Sequence, residues 1–366
     1  IMKQRIEKPL VKRFFAALCF MIMMLPFSEA KAQKCDPPNV IIVLDKSGSM
    51  ENNSKWDQAK SAIESMISAY GNPNSNKHIR FGLKLFPNPA DQKCEDRFLF
   101  ICTDYSCDQD VGLDVAVADD TRSQIKKKLK SASVNGGYTP ITNTLIALEN
   151  EFALKDPNRR SFIIFITDGS ESGDNCDSNP ENVIKRIHSN TKSKTYVIGF
   201  GSGVDKNTLQ KMAKSGKTKD YYQANNQSQI NSALDAIAKD ISKELCDGKD
   251  NNCDGQIDET FDVGDSCNNG VGECISGGKK VCSSDQKSTV CDAKPKSPKA
   301  EVCDGKDNDC DGASDEDFDV GSSCENGIGA CLSKGTKVCK KDGSDTKCNA
   351  PNKSPSKEVC DAKDND

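Results

Sequence analysis

The chain has 366 residues, among them 19 cysteines and only two histidines, and a formal net charge of −5. That length holds one ordinary domain with smaller units beside it. A mildly acidic, Lys- and Asp-rich balance speaks against a nucleic-acid partner, and many cysteines with almost no histidine speak against a Cys/His zinc protein and for disulfides formed outside the cytosol.

Taken in order, Met2 to Arg13 is basic, Phe14 to Phe27 is mostly apolar, and Ser28-Glu29-Ala30 offers small residues where a signal peptidase reads. Residues 1 to 32 therefore read as a cleaved secretory signal. Its apolar core is short for a membrane span and no second run approaches that length, so the expected location is secreted or cell-surface, with the periplasm an option, and no transmembrane segment after cleavage.

Val40-Ile41-Ile42-Val43-Leu44 is a continuous apolar run, the pattern of a parallel strand buried on both faces, and it leads into Asp45-Lys46-Ser47-Gly48-Ser49. Open α/β sheets bind their ligands at this carboxyl end of a strand. Asp45, Ser47 and Ser49 alternate, so one turn can aim three oxygen-bearing side chains at a point, as hard divalent cations require. The same residues also suit a helix N-cap.

A helix follows from Lys55 to Tyr70 with Trp56, Ala59, Ile63, Met66 and Ile67 on one face, ended by Gly71-Asn72-Pro73-Asn74. Next come a strand over 79–86, a long loop over 87–110 carrying Cys94, Cys102 and Cys107, an edge strand over 111–117 and a basic helix over 121–132. Gly136 to Pro140 opens a helix predicted over 142–154. A second buried strand, 161–167, ends in Asp168 and Gly169. Helix 181–189, strand 194–200, helix 206–215, strand 220–224 and helix 227–242 complete an alternation that predicts a doubly wound sheet.

Asp45, Ser47 and Ser49, then Thr139, then Asp168 fill in order the D-x-S-x-S, Thr, Asp pattern of the metal-ion-dependent adhesion site, and residues 35 to 243 resemble von Willebrand factor A domains. The resemblance implies an α/β, doubly wound, mostly parallel Rossmann-like sheet with one early antiparallel edge strand. It also implies Mg2+ or Mn2+ held by the two serines and the threonine, with the aspartates acting through water and a partner's carboxylate completing the octahedron.

Beyond Lys243 the apolar periodicity stops and a repeat begins. Cys246, Cys253, Cys267, Cys274, Cys282 and Cys291 recur 57 residues later as Cys303, Cys310, Cys324, Cys331, Cys339 and Cys348, and Cys360 opens a third copy. The expected units are 246–302, 303–359 and the start of a third at 360–366. Such small, disulfide-rich, loop-rich repeats lack the apolar residues to fold by burial alone.

Each copy opens on an acidic loop of EF-hand-like spacing, with Gly at the sharp turn. Asp250, Asn252, Asp254, Asp258 and Glu259 are the candidate calcium ligands of the first, and Asp307, Asp309, Asp311, Asp315 and Glu316 of the second. The twelfth position, where an EF-hand carries a bidentate acid, is Phe261 or Phe318. An Asx turn pinned by a disulfide, without an ion, is the other reading. These units resemble the cysteine-rich metal-binding repeats of MopE-type bacterial surface proteins.

No G-x-S-x-G elbow, P-loop or H-E-x-x-H is present, and Gly199 to Gly203 lacks the rest of a dinucleotide fingerprint, so no enzyme is expected. The leading expectation is an extracellular adhesion module that engages a protein or other ligand presenting a carboxylate, displayed on a calcium-binding array. The other is a metal-binding surface or matrix protein whose repeats, taking calcium or copper, are the working part. Parity favours a Cys35–Cys246 bridge, two bridges among Cys94, Cys102, Cys107 and Cys176, and two self-contained groups of six in the repeats. The competing frame joins Cys246 to Cys253 and Cys303 to Cys310.

Overall fold

The computed structural model describes residues 35–88, 107, 109–134, 138–171, 179–357 and 360. The expected signal segment, Gly136, Gly137, Cys94, Cys102, Cys176 and most of the third repeat lie outside them. The chain divides into two compact units: one runs to Ser242 and includes Asp250–Gly255, the other comprises Lys243–Lys249 and the chain from Gln256 onward.

In the first unit β1 (Asn39–Asp45), β2 (Arg80–Phe86), β3 (Val115–Ala118), β4 (Ser161–Thr167), β5 (Lys194–Phe200) and β6 (Tyr222–Ala224) form one sheet of order β3-β2-β1-β4-β5-β6. Every neighbouring pair is parallel except β2 with β3. Among the described residues, six helices connect or follow the strands: α1 (Lys55–Tyr70), α2 (Arg122–Ser131), α3 (Ile141–Leu148), α4 (Pro180–Thr191), α5 (Lys206–Ser215) and α6 (Gln227–Ile241).

The central strands β1 and β4 are apolar without alternation because helices cover both faces. Val40, Ile42 and Leu44 of β1 pack with Ile63 and Ile67 of α1, Ile125 of α2 and Leu234 of α6. Ile41 and Val43 point the other way, into a core with Leu145 of α3, Ile184 of α4 and Met212 of α5. Trp56 is a core residue of α1, and that helix stops where Gly71 N–H bonds the Ile67 carbonyl at 2.9 Å.

Two elements differ from their sequence expectation by more than two residues at an end. The helix expected over 142–154 ends at Leu148 and gives way to a 3-10 turn, Phe152–Leu154, because Asn39 Nδ2 and Ser161 Oγ both donate to the Ala153 carbonyl, at 2.9 and 2.8 Å. The edge strand begins at Val115 instead of residue 111. Val111 is exposed, and the Asp114 carboxylate takes the Leu85 N–H at 2.7 Å in place of a backbone partner.

In the second unit the repeats are less loop-rich than expected. Each holds a three-stranded antiparallel sheet: β7 (Ser266–Asn269), β8 (Ser276–Cys282) and β9 (Thr289–Cys291), then β10 (Ser323–Asn326), β11 (Ser333–Cys339) and β12 (Thr346–Cys348). Disulfides Cys267–Cys291 and Cys324–Cys348 tie the outer strands, and Cys246–Cys282 and Cys303–Cys339 tie each acidic loop's entry to its hairpin.

The pairing corrects the expectation drawn from parity. Cys35 joins Cys253, with Cα atoms 5.3 Å apart, and not Cys246. The segment Asp250–Gly255 belongs to the first unit, where Arg160 donates to the Asn251 carbonyl at 3.0 Å, whereas Cys246 is held in its own repeat by the Gln286 carbonyl at 3.0 Å. The repeats are not two closed groups of six either, because Cys274–Cys310 crosses from one copy to the next. The competing Cys246–Cys253 frame does not occur. Among the described residues, Cys331 and Cys360 carry no disulfide.

Candidate metal centres

Register builds the first site. β1 and β4 are parallel neighbours with Leu44 opposite Ile166, so Asp45 and Thr167 end their strands side by side. The Asp45 carboxylate is fully buried, accepting the Ser47 N–H at 2.8 Å on Oδ1 and the Thr167 hydroxyl at 2.6 Å on Oδ2. It thereby fixes the turn that carries the serines.

Ser47 Oγ and Ser49 Oγ are 3.1 Å apart, and Ser49 Oγ donates to Asp168 Oδ1 at 2.7 Å. Thr139 joins them: a methyl group placed on Gly169 would lie 3.4 Å from Thr139 Oγ1 and 3.9 Å from Ser49 Oγ. All five residues singled out in the first motif therefore converge at the carboxyl edge of the sheet, in a set of hydroxyl and carboxylate oxygens that suits Mg2+ or Mn2+. Ser47 caps no helix through its side chain, which leaves the N-cap reading without its bond.

Three neighbours escaped the sequence reading. Lys55, at the start of α1, places its ammonium on Asp168 Oδ2. Thr167 orients Asp45. The Glu171 carboxylate accepts both the N–H and the hydroxyl of Thr142, at 2.9 and 2.7 Å, anchoring the first turn of α3 behind Thr139. Adjacency to Asp168 was the available signal for Thr167 and Glu171. For Lys55 there was none, since only the tertiary fold brings it back to Asp168.

Burial pushes the Asp45 carboxyl up to about 6, against the lowering by its bonds from Thr167 and Ser47, while the nearby Asp168 charge adds to the rise. Burial penalises the charged form of this carboxyl, and a cation beside it would offset that penalty.

In the second acidic loop, one carboxylate oxygen from each of Asp307, Asp309 and Asp311 lies within 4.8 Å of the others, and so does one from each of Glu301, Asp309 and Glu316. Gly312 makes the sharp turn at φ 99°. Desolvation, then the charges of Asp311, Glu301 and Asp307, push the Asp309 carboxyl above the usual range, against the bond it accepts from Asp311 N–H. Asp315 stands apart. Its carboxylate is buried and caps the N–H groups of Asp304 and Gly305 at 2.9 and 3.0 Å.

The first loop repeats this division. Asp258 turns to the N–H groups of Asp247 and Gly248, at 3.0 Å each. Asp250 accepts from Asp254 N–H at 3.2 Å and Gly255 N–H at 3.0 Å, and Asn252 Nδ2 donates to Asp254 Oδ2 at 3.3 Å. An amide thus stands where the second loop has the Asp309 charge. Glu259 lies at the Glu316 position of that loop. Both loops keep the Asx-turn bonds of the ion-free reading, and these coexist with the clustered carboxylates.

A sequence model of the von Willebrand factor type A domain matches residues 39–236, and that of the Cu-binding MopE metal-binding motif matches 242–259, 291–316 and 348–366. No protein of curated function matches in sequence. Among solved structures, proximal thread matrix protein 1 of the mussel byssus is 18% identical over 57% of this chain and 49% of its own, with a TM-score of 0.42. The pilus adhesin SpaC of Lactobacillus rhamnosus GG is 15% identical over 57% and 31%, with a TM-score of 0.43. A von Willebrand factor type A protein of Catenulispora acidiphila is 16% identical over 69% and 53%, also at 0.43. The chain thus spans about half or less of each of these structures.

Proposed function

Because the chain belongs to the von Willebrand factor type A family, we propose that it is a secreted or cell-surface binding protein that engages an acidic group of its partner through Mg2+ or Mn2+ held by Ser47, Ser49 and Thr139. The observation that carries this is the meeting of those three hydroxyls with Asp168 at one sheet edge, above a buried Asp45 whose oxygens are already committed to Ser47 and Thr167. Bound there, a divalent cation supplies an electron-poor centre, because neutral hydroxyl ligands leave most of its charge uncancelled, and a carboxylate from a partner answers it.

The residues of this chain do the rest. Asp45 holds the serine turn rigid, Glu171 holds α3 and so Thr139, and Asp168 balances charge. Binding, not catalysis, is the role this arrangement suits. The repeats then serve as a disulfide-pinned, calcium-binding array that displays the domain.

The test is capture of partner proteins from an extracellular extract on the immobilised chain in Mg2+ and in chelator, with Asp45→Ala beside it. Capture that needs Mg2+ and vanishes with Asp45→Ala is the expected result; capture indifferent to both refutes it. A second reading, a metal-binding surface or matrix protein working through its repeats, is favoured by the MopE-type motifs and by the carboxylates around Asp309. Metal uptake undiminished by Asp45→Ala, with no cation-dependent capture, would decide for it.

A further inference from the structure

The second acidic loop is bonded to a turn of the first repeat. In that turn Val271 is extended at φ −129° and ψ 154°, Gly272 takes φ 52°, and the 3-10 turn Gly272–Cys274 closes with the Cys274 N–H on the Val271 carbonyl at 3.0 Å. The Glu273 N–H donates to the Asp307 carbonyl of the loop at 2.9 Å, and Cys274 bonds Cys310 with Cα atoms 5.9 Å apart. A methyl group on Gly272 would lie 2.5 Å from the same Asp307 oxygen, so only glycine suits this place. Against the loop, Cys274 is 3% exposed.

The second repeat builds the same turn 57 residues later. Ile328 is extended at φ −132° and ψ 157°, Gly329 takes φ 55°, and the Cys331 N–H meets the Ile328 carbonyl at 2.9 Å. None of these residues is buried, however, and Ile328 is 80% exposed where Val271 is 50%. Among the described residues only Cys331 and Cys360 carry no disulfide. Cys360 stands in the place of Cys246 and Cys303, which bond hairpin cysteines of their own repeats, so the period does not pair it with Cys331.

We propose that the turn Ile328–Cys331 is a docking surface for the acidic loop of a further repeat, and that Cys331 forms a disulfide with the cysteine in that loop's Cys310 place. This goes beyond the binding function proposed above and does not depend on it. The loop cysteine is the one with which each repeat reaches outward: Cys253 bonds Cys35 and Cys310 bonds Cys274. An exposed thiol alone selects no partner, but this turn matches, dihedral for dihedral, one already bonded to such a loop. Residues 360–366 open another, repeating 303–309 with Ala362 in place of Gly305. The bond forms as two thiols give up two protons and two electrons to a small-molecule disulfide, which becomes two thiols.

The test is the full chain lengthened after Asp366 by a copy of residues 310–359, which completes a third repeat, folded in a glutathione buffer and mapped without reduction. Cys331 is expected on the added copy of Cys310, and a bond from Cys360 to the added copy of Cys339 reports that the third repeat has folded. With that bond formed, any other state of Cys331, whether a thiol, a glutathione adduct or a bond to a second chain, overturns the proposal. Where it does not form, the unlengthened chain decides, probed with a peptide copying residues 299–316 with Cys303→Ser and Cys310 joined to glutathione. The Cys331 thiolate attacks the peptide sulfur and glutathione leaves as its thiolate, on the order of tenfold faster than with a peptide of the same composition in scrambled order, because docking raises the local concentration. Equal rates for the two peptides overturn the proposal.

Discussion

The protonation of Asp45 couples fold and metal with opposite signs. Its carboxyl is raised from 3.8 to about 6 in the folded chain, chiefly by burial, a shift that corresponds to roughly 3 kcal/mol. Between pH 4 and 6 the folded state keeps a proton that the unfolded chain has shed, so this group makes stability fall as pH rises through that window, and above about 6 the full penalty applies. Metal binding needs the ionised form. At pH 5 about one tenth of Asp45 is ionised and at pH 7 about nine tenths, so Mg2+ affinity should be roughly tenfold weaker at pH 5. Asp45→Asn, equal in shape, should remove both effects: in chelator it should be more stable than the parent above pH 6, by up to about 3 kcal/mol, and it should not bind Mg2+. Urea unfolding from pH 4 to 8, followed through the buried Trp56 with disulfides intact, measures the first, and calorimetry at pH 5 and 7 the second. Other carboxylates cancel in the difference between parent and variant. Equal pH slopes in the two proteins, or equal Mg2+ affinity at both pH values, would refute the reasoning.

Lys55→Met frees Asp168 from a charge-assisted bond and should tighten Mg2+ or Mn2+ binding by on the order of tenfold; calorimetry showing weaker binding would mean that Lys55 supports the site. Limited proteolysis of the repeats should slow in calcium, because clustered carboxylates repel until a cation neutralises them, and Asp254→Ala should remove protection from the first loop while leaving the second. Identical digestion patterns in calcium and chelator would count against it. Non-reducing peptide mapping should join Cys35 to Cys253 and Cys274 to Cys310; finding Cys35 on Cys246 would contradict the pairing seen here.

Much of the fold was legible because it depends on local pattern. Five consecutive apolar residues before Asp45, and a second such run before Thr167 and Asp168, suit strands with both faces covered, and residues 55–70 carry one apolar stripe that became α1 with those bounds. The five residues of the first site were readable because each sits at the end of such an element. The 57-residue repeat and its acidic loops were equally plain, being periodic in the sequence itself.

Tertiary structure alone decided the partners. Lys55 reaches Asp168 across 113 positions, Thr167 meets Asp45 across 122, and Cys35 finds Cys253 across 218. Asp258 and Asp315, spaced as loop ligands, turn instead to backbone N–H groups beside their Cys–Cys bridges, and Glu301, spaced outside the loop, bonds the backbone N–H groups of Asn308 and Asp309 within it. Spacing along the chain fixes which face or turn a side chain occupies, since that follows from backbone geometry within a few residues. What it meets there depends on where distant segments pack, and parity of cysteines or the count of positions in a loop carries no information about that.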